Sequence, residues 1–248
     1  MNDFDGLRTD DLMIAGYRLL QDPEKFCFGT DSVMLADFAA DHVKKKCRIA
    51  ELCCGNGAVS VLIYARRPDV TLTGFELQRD VWELCVKNIE LNGLSGSMSA
   101  FNTDLRDIPR EHNGLYGAVV VNPPYSAPGR GIESPDENKR LSRSESTADL
   151  SDIIAVSRRL LTTGGKLIMV HRPDRTAEIF SLLRDGGFEP KAVRFVHSRA
   201  DSKASMVLIS ASKGGGVWCD VEAPVIIYDE NGGYTDRLLR IYHMKEET

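Results

Sequence analysis

An amide, two prolines and a phenol follow one another at the end of an apolar run in VVVNPPYSAP, residues 119–128. Each proline lacks an N–H and has a fixed φ, so a strand must end here on rigid backbone. The side chains of Asn122 and Tyr125 are therefore expected at the carboxyl end of a strand. An amide oxygen and a backbone carbonyl can accept both hydrogen bonds of a flat amine, and a phenol ring can stack on the group that carries the amine. The stretch predicts that an amide and a phenol are held rigidly at one edge of a sheet.

A glycine turn precedes this stretch in AELCCGNGAVS, residues 50–60. Gly55 and Gly57 lie between a predicted strand and a predicted helix, where backbone can approach a ligand closely. A dinucleotide fingerprint requires a third glycine where Ser60 stands, which disfavours NAD and FAD. Taken alone, the two glycines are equally well interpreted as a tight turn that binds nothing.

Two carboxylates follow the next two predicted strands. Glu76 ends the second strand, 19 residues after Gly57, where an acid in a Rossmann-like unit reaches the hydroxyls of a ribose. Asp104 follows the third strand at the same edge of the sheet. Because ligands of open α/β sheets bind at the carboxyl ends of the strands, the set predicts a nucleoside-type cofactor without phosphates. The alternative for Glu76 is an exposed charge at the end of a strand.

The elements that must position these residues alternate between β-rich runs and helical stretches. Strands are predicted at 47–53, 70–76, 97–102, 117–121, 166–171, 191–198 and 204–213, and helices at 57–67, 78–93, 148–165 and 175–188. Such alternation requires right-handed crossovers and a mostly parallel sheet. The short segment RADSKA between the last two strands makes that pair antiparallel. The predicted fold is a Rossmann-like α/β fold with a mostly parallel seven-stranded sheet, an antiparallel edge strand and helices on both faces.

Composition excludes several other classes of protein. The 248 residues carry a net charge of −5, which argues against bulk binding of nucleic acid but allows a local basic patch. Six cysteines form no Cys-x-x-Cys pair, so we expect a reduced protein without disulfides or a metal. No apolar stretch approaches the roughly 18 to 20 residues of a membrane span, and the acidic N-terminus resembles no secretory signal. A cytoplasmic protein with no membrane association and no obligate protein partner is predicted.

The strand-end residues together resemble the class I methyltransferases that use S-adenosylmethionine, and within them the enzymes that modify an exocyclic or amide nitrogen. The resemblance is closest to bacterial N6-adenine methyltransferases that act on valine tRNA beside the anticodon. It runs nearly the whole length of the chain and includes NPPY, FCFGTD at 26–31, LLTTGGKLIMVHRPDR at 160–175, VHSRADSKASMVLISASKGG at 196–215 and PVIIYDENGGYT at 224–235. The sequence departs from that group where Glu51 replaces an aspartate, Cys53 replaces a glycine and Ser144 replaces a histidine.

The resemblance implies a role for each residue of these motifs. Catalysis is expected from Asn122, Pro123, Pro124 and Tyr125. Contacts to S-adenosylmethionine are expected from Phe28, Gly29, Thr30, Asp31, Glu51, Cys53, Gly55, Gly57, Glu76, Leu77, Asp104, Leu105 and Asn122. For Thr30 or Asp31 alone, a helix N-cap is a simple interpretation that is compatible with cofactor binding.

A tRNA substrate would have to present a base that is flipped out of its stack. The turn SRADSKA follows the sixth predicted strand, so Arg199 and Lys203 are candidates for contacts to phosphates at the same edge as Asn122. Arg143, in the long segment 126–147, is a second candidate. The alternative for both groups is a solvated surface.

The chain is predicted to have three parts. Residues 1–46 form an extension with a cofactor-capping segment, 47–213 the catalytic core, and 214–248 a β extension packed on the core. Two other functions compete with adenine methylation. A glutamine N5-methyltransferase acting on a translation protein also uses NPPY, although this chain lacks the helical domain expected before the core. A non-catalytic RNA-binding module with a Rossmann fold is the other, against which Asn122 and Tyr125 argue.

Overall fold

The structure is a computed structural model that describes residues 6–24, 27–123 and 149–244. Three residues with predicted roles, Pro124, Tyr125 and Arg143, lie outside these ranges. A small antiparallel hairpin, β1 (Arg8–Asp11) and β2 (Arg18–Gln21), precedes the main sheet. It corresponds to the part of the chain that comes before the alternating strands and helices.

Within the described residues, the main sheet contains nine strands and is flanked by helices. Its strands are β3 (Arg48–Leu52), β4 (Thr71–Glu76), β5 (Met98–Asn102), β6 (Tyr116–Val121), β7 (Leu161–His171), β8 (Phe188–His197), β9 (Ala204–Lys213), β10 (Asp220–Val221) and β11 (Val225–Ile226). The helices are α1 (Thr30–His42), α2 (Ala58–Arg66), α3 (Arg79–Leu91), α4 (Leu150–Leu160), α5 (Thr176–Asp185) and α6 (Asp236–Ile241).

The strand order in the sheet is β10-β8-β9-β7-β6-β3-β4-β5, and β11 also pairs with β8. Strands β3 to β7 are mutually parallel, whereas β9 is antiparallel to both β7 and β8. The predicted Rossmann-like α/β fold and its seven strands are confirmed, and β10 and β11 are short additions. The antiparallel strand β9 is not at the edge where it was predicted, because β8 pairs with its outer side and β10 and β11 pair in turn with β8.

Both faces of the sheet are buried, as the continuous apolar run of β6 predicts. Ala118 and Val120 point to the layer that contains α1, α2 and α3, and Val119 and Val121 point to the layer that contains α4 and α5. All four side chains are almost fully buried. Burying a valine contributes about 1.5 to 3 kcal/mol, so this strand anchors Asn122 and Pro123, which directly follow it.

The helix predicted at 148–165 is shorter in the structure. It begins with a capping box in which Asp149 and Asp152 bond to each other's backbone N–H, and it ends at Leu160. The following residues, LTTGG, already belong to β7. Thr162 and Thr163 are β-branched and favour strands. The helix was predicted from its apolar periodicity, which does not reflect this preference.

A buried arginine fastens the C-terminal segment to the core. Arg194 on β8 is 6% exposed and forms ion pairs with Asp37 at 3.3 Å, Asp41 at 3.1 Å and Glu222 at 2.7 Å. Its guanidinium also lies 5.0 Å from the ring centroid of Phe38. Removing one partner from such a cluster leaves uncompensated buried charge, so the cluster fixes α1 and the C-terminal segment against the same strand.

Candidate active site

The Asn122 side chain, which directly follows β6, contacts the start of α1. Its amide nitrogen donates a hydrogen bond of 3.1 Å to one carboxylate oxygen of Asp31, and the other oxygen accepts from the backbone N–H of Ser32 at 2.8 Å. A carboxylate only accepts hydrogen bonds, so the amide nitrogen faces Asp31 and the amide oxygen faces away from it. The two motifs FCFGTD and NPPY therefore meet at the carboxyl edge of the sheet.

The start of α1 is held from two sides. The N–H of Phe28 donates to the side chain of Gln21 at 2.8 Å, and the hydroxyl of Thr30 accepts from the phenol of Tyr242 at 3.3 Å. The N-cap of the helix is Gly29, and no side chain bonds to the first turn from that position. The interpretation of Thr30 or Asp31 as the N-cap is therefore wrong. Asp31 lies inside the first turn, where a negative charge is favoured by the helix dipole.

Three residues of the glycine turn adopt left-handed backbone conformations: Cys53 with φ 55°, Gly55 with φ 56° and Gly57 with φ 82°. A Cβ at Gly57 would lie 2.8 Å from the sulfur of Cys85, so packing requires a glycine there. A Cβ at Gly55 would meet nothing within 4 Å, which leaves its backbone open to a ligand. The left-handed conformation costs about 1 to 2 kcal/mol for a residue with a side chain such as Cys53, whereas a glycine adopts it without this cost.

Glu76 joins the glycine turn to the end of β4. One of its carboxylate oxygens accepts from the N–H of Gly55 at 3.0 Å and the other from the N–H of Gln78 at 2.9 Å. The residue is 6% exposed, so its interpretation as an exposed charge is wrong. Burial raises the pKa of Glu76, and the backbone N–H groups counteract part of that rise. Leu77 beside it is 47% exposed, which places an apolar side chain next to a carboxylate.

Glu51 and Asp104 are in contrasting surroundings. Glu51 is buried and accepts a hydrogen bond from the hydroxyl of Ser60. Burial raises the pKa of Glu51 to about 8. Asp104 is paired with the guanidinium of Arg106 at 2.5 Å, and this hydrogen bond lowers the pKa of Asp104. Leu105 next to it is buried. Their expected contacts to a cofactor remain predictions.

A buried amide that the sequence analysis did not single out ties the hairpin to the glycine turn. Asn88 on α3 is fully buried, and its amide oxygen accepts from the N–H of Leu20 at 2.6 Å. Its amide nitrogen donates to the carbonyls of Leu20 at 3.0 Å and Asn56 at 2.9 Å. Asn88 is a positioning residue for the turn. The signal was present in the sequence, since this amide lies on the apolar face formed by Leu84, Cys85 and Ile89.

The basic turn, Arg199 and Lys203, lies between β8 and β9 and is exposed. Strand β8 runs in the same direction as β6, so the turn follows the same edge of the sheet as Asn122. Three strand spacings separate β8 from β6, or roughly 14 Å. The hydroxyl of Ser202 accepts from the N–H of Arg199 at 3.0 Å and holds the turn. Contact of the basic turn with RNA remains a prediction.

The glycine turn, the Glu76 carboxylate and the Asn122 amide lie at the carboxyl edge of a Rossmann-like sheet, where open α/β folds bind their ligands. Residues 24–185 match the family described as "Methyltransferase small domain". The match covers more than half of the chain, and the protein belongs to this family. The predicted membership among the methyltransferases is therefore confirmed.

Several curated proteins are similar to this chain over most of its length. A tRNA1(Val) (adenine(37)-N6)-methyltransferase of Parabacteroides distasonis is 25% identical over 185 residues, 74% of this chain and 76% of that protein. A protein of the same name from Aeromonas salmonicida is 24% identical over 216 residues, 87% of this chain and 88% of that protein. Their names agree with the group that the motifs resemble.

Solved structures share the fold at low sequence identity. A predicted O-methyltransferase from Agrobacterium tumefaciens aligns with a TM-score of 0.67 at 21% identity, covering 86% of this chain and 95% of that one. M. jannaschii TYW2, solved in complex with AdoMet, aligns with a TM-score of 0.59 at 12% identity, covering 86% and 88%. Within the described residues, no group of three or more His, Cys, Asp or Glu side chains could hold a metal ion. No helix of the described ranges is long and apolar enough to cross a membrane.

Proposed function

We propose that this protein transfers a methyl group from S-adenosylmethionine to the exocyclic N6 amine of an adenine in RNA, in a tRNA beside the anticodon. Family membership supports methyl transfer, and the relatives named for N6 methylation of adenine 37 in tRNA1(Val) support the acceptor. The observation that carries the proposal is the hydrogen bond between Asp31 and Asn122, which orients an amide at the carboxyl edge of the sheet beside the glycine turn.

The glycine turn and its neighbours fit a nucleoside-type donor. The backbone at Gly55 faces open space, and the buried carboxylate of Glu76 would accept hydrogen bonds from the ribose hydroxyls. The exposed apolar side chain of Leu77 would contact the adenine ring of the donor, and Thr30 and Asp31 would contact its methionine part. When bound, S-adenosylmethionine supplies an electrophilic methyl group.

The residues of NPPY would prepare the acceptor amine. An adenine amino nitrogen is a poor nucleophile, because its lone pair is delocalised into the ring. The side-chain oxygen of Asn122 and the carbonyl of Pro123 would accept both N–H groups, favour a pyramidal nitrogen and stabilise the positive charge that develops on it. The stacking role of Tyr125 and the rigidity provided by Pro124 are part of the same proposal. The extra proton on nitrogen can pass to water after the transfer, so this chain needs no general base.

The remaining site assignments follow from the proposed substrate. Arg199, Lys203 and Arg143 would contact phosphates of the tRNA. The division into a capping extension at 1–46, a catalytic core at 47–213 and a C-terminal β extension at 214–248 is supported by the pairing of β10 and β11 with the outer side of β8. A tRNA substrate implies that the enzyme acts in the cytoplasm.

Identification of the methylated product tests the proposal. The protein is incubated with methyl-labelled S-adenosylmethionine and either total RNA or total cell protein, and each product is digested to its monomers. We expect the label in N6-methyladenosine from RNA, with an initial rate of labelling about 10² to 10³ lower for Asn122→Ala. Label in N5-methylglutamine would instead identify the translation-protein methyltransferase. Donor binding without any labelled product would identify the non-catalytic RNA-binding module.

A further inference from the structure

Two exposed aromatic rings stack on each other in the C-terminal segment, shortly after β11. Tyr228 is 37% exposed and Tyr234 is 52% exposed. Their ring centroids are 5.5 Å apart and their planes are inclined by 24°. We call this pair the tyrosine platform. Exposed aromatic rings that are grouped in this way mark a contact surface, whereas isolated ones need no explanation.

The tyrosine platform is mounted on a well-braced turn. The backbone N–H of Asp229 donates to the carbonyl of Gly233 at 2.8 Å. The carboxylate of Asp229 accepts from the N–H groups of Asn231 at 2.8 Å and Gly233 at 2.9 Å. Because these bonds fix the turn, little conformational entropy is lost when a partner binds to the two rings.

The tyrosine platform lies at the same edge of the sheet as the candidate active site. Strand β11 runs parallel to β8, and the N–H of Tyr228 donates to the carbonyl of Ser198 at 2.9 Å, just beyond the carboxyl end of β8. The guanidinium of Arg199 donates to the carbonyl of Asp229 at 3.3 Å. The basic turn and the tyrosine platform are therefore joined directly.

Helix α6 links the tyrosine platform to the start of α1. It begins at Asp236, two residues after Tyr234, and Tyr242 is its C-cap. The phenol of Tyr242 donates to the hydroxyl of Thr30 at 3.3 Å, and the next residue, Asp31, bonds to Asn122. The segment that carries the platform is therefore connected by contacts to the candidate active site.

The charges of this region favour a nucleobase over a phosphate as the partner of the rings. The turn itself carries Asp229 and Glu230, which repel phosphate, while the adjacent Arg199 and Lys203 attract it. A flipped adenine leaves its neighbours without their stacking partner, and an aromatic ring at the edge of the site can replace that partner. Stacking on tyrosine requires no particular base, because every base has a π face.

We propose that Tyr228 and Tyr234 stack on an unpaired base next to the adenine that is methylated. This inference rests on the proposed function, and it adds a base-binding site built from the C-terminal segment. The catalytic residues act on the target adenine itself, and the tyrosine platform holds the adjacent part of the RNA loop.

Steady-state kinetics on an unmodified valine tRNA transcript test this role. Tyr234→Ala and Tyr234→Leu should raise the KM for tRNA about 5- to 150-fold, the range expected for one lost base–aromatic stack, and leave kcat unchanged. Tyr234→Phe keeps the π face and should restore the wild-type KM. Trp218→Ala is the matched control, because Trp218 is 68% exposed and precedes β10, which runs parallel to β8 and pairs with its middle, so Trp218 comes before the carboxyl end of β8 where the platform lies.

The base-stacking role of the tyrosine platform is refuted if Tyr234→Leu has the wild-type KM for tRNA, or if Tyr234→Phe raises this KM as much as Tyr234→Ala does. The affinity for S-adenosylmethionine, measured by calorimetry, verifies that each variant is folded and should not change. A wild-type protein that binds the donor but methylates no RNA would overturn the proposed function itself. That outcome is distinct, since it concerns the unmutated protein.

Discussion

The side-chain amide of Asn122 and the carboxylate of Asp31, 91 residues apart in the chain, share a hydrogen bond of 3.1 Å. Asn122 is fixed by the end of β6 and Asp31 by the first turn of α1, so two separate elements determine the orientation of one amide. A group that is oriented before the substrate binds needs no reorganisation during the reaction. The predictions below follow from this arrangement and from the groups around it.

Asn122→Ala should slow methyl transfer and leave the binding of S-adenosylmethionine nearly unchanged. We expect a loss of about 10² to 10³ in kcat, the range for removal of one hydrogen-bonding group that stabilises developing charge. The dissociation constant of S-adenosylmethionine, measured by calorimetry, should stay within about threefold of wild type, because the other residues proposed to contact the donor are unchanged. Equal losses of catalysis and donor binding would contradict the role given to Asn122.

In contrast to Asn122→Ala, Glu76→Ala should weaken the binding of S-adenosylmethionine. The carboxylate of Glu76 accepts from two backbone N–H groups and is proposed to bind the ribose, so the donor affinity should fall about 10- to 150-fold. Glu83→Ala is the matched control, since Glu83 lies exposed on α3 and pairs only with Arg79 in the described structure. Calorimetric titration with S-adenosylmethionine measures both variants. An unchanged affinity for Glu76→Ala would place the ribose elsewhere.

Glu51 should make the stability of the ligand-free protein depend on pH. Burial raises its pKa from 4.5 to about 8, so between these values the folded protein holds a proton that the unfolded chain has released. The contribution of Glu51 to the free energy of unfolding is fully present below about pH 4.5 and is lost as the pH rises towards 8. Glu51→Gln removes this dependence.

Urea denaturation at pH 5, 7 and 9 measures the effect. Relative to wild type, Glu51→Gln should gain a few kcal/mol of stability between pH 5 and pH 9. Both proteins share all other titrating groups, so the difference between them isolates Glu51. Parallel pH profiles for the two proteins would show that Glu51 is already ionised in the folded state at neutral pH.

The double variant Arg199→Ala/Lys203→Ala should weaken tRNA binding and reduce its salt dependence. Each lost phosphate contact lowers the slope of log K against log salt by about 0.7 to 0.9, so two contacts lower it by up to about 1.8. Lys44→Ala/Lys45→Ala is the control, because these exposed lysines precede β3 at the opposite edge of the sheet. Filter binding at several salt concentrations gives the slopes. An unchanged slope in the first variant would remove the basic turn from the RNA interface.

Local patterns in the sequence were sufficient to predict the fold class and most of its strands and helices. The run of β6 is apolar on both faces because it is covered on both, and the glycines at 55 and 57 need φ values that other residues adopt at a cost. Cys53, where the sequence departs from a glycine, adopts a left-handed conformation that glycine adopts more readily. Each of these features is determined within a few residues of the chain.

Contacts between distant segments could not be derived in this way. The bond between Asp31 and Asn122 and the bracing of the glycine turn by Asn88 depend on how α1, α3 and the hairpin pack together. The position of β9 inside the edge depends on the pairing of β8, which the hairpin length alone does not determine. The tyrosine platform follows a two-residue strand, too short for any periodicity to indicate.

A crystal structure with S-adenosylhomocysteine bound tests most directly whether the donor and the oriented amide face one acceptor. A nitrogen in near-attack position lies about 3 to 3.5 Å from the methyl group and about 3 Å from the amide oxygen. We therefore expect the sulfur within about 8 Å of the side-chain oxygen of Asn122, on the carboxyl edge of the sheet beside Gly55. A sulfur bound at another edge, or separated from Asn122 by protein, would contradict methyl transfer at this site.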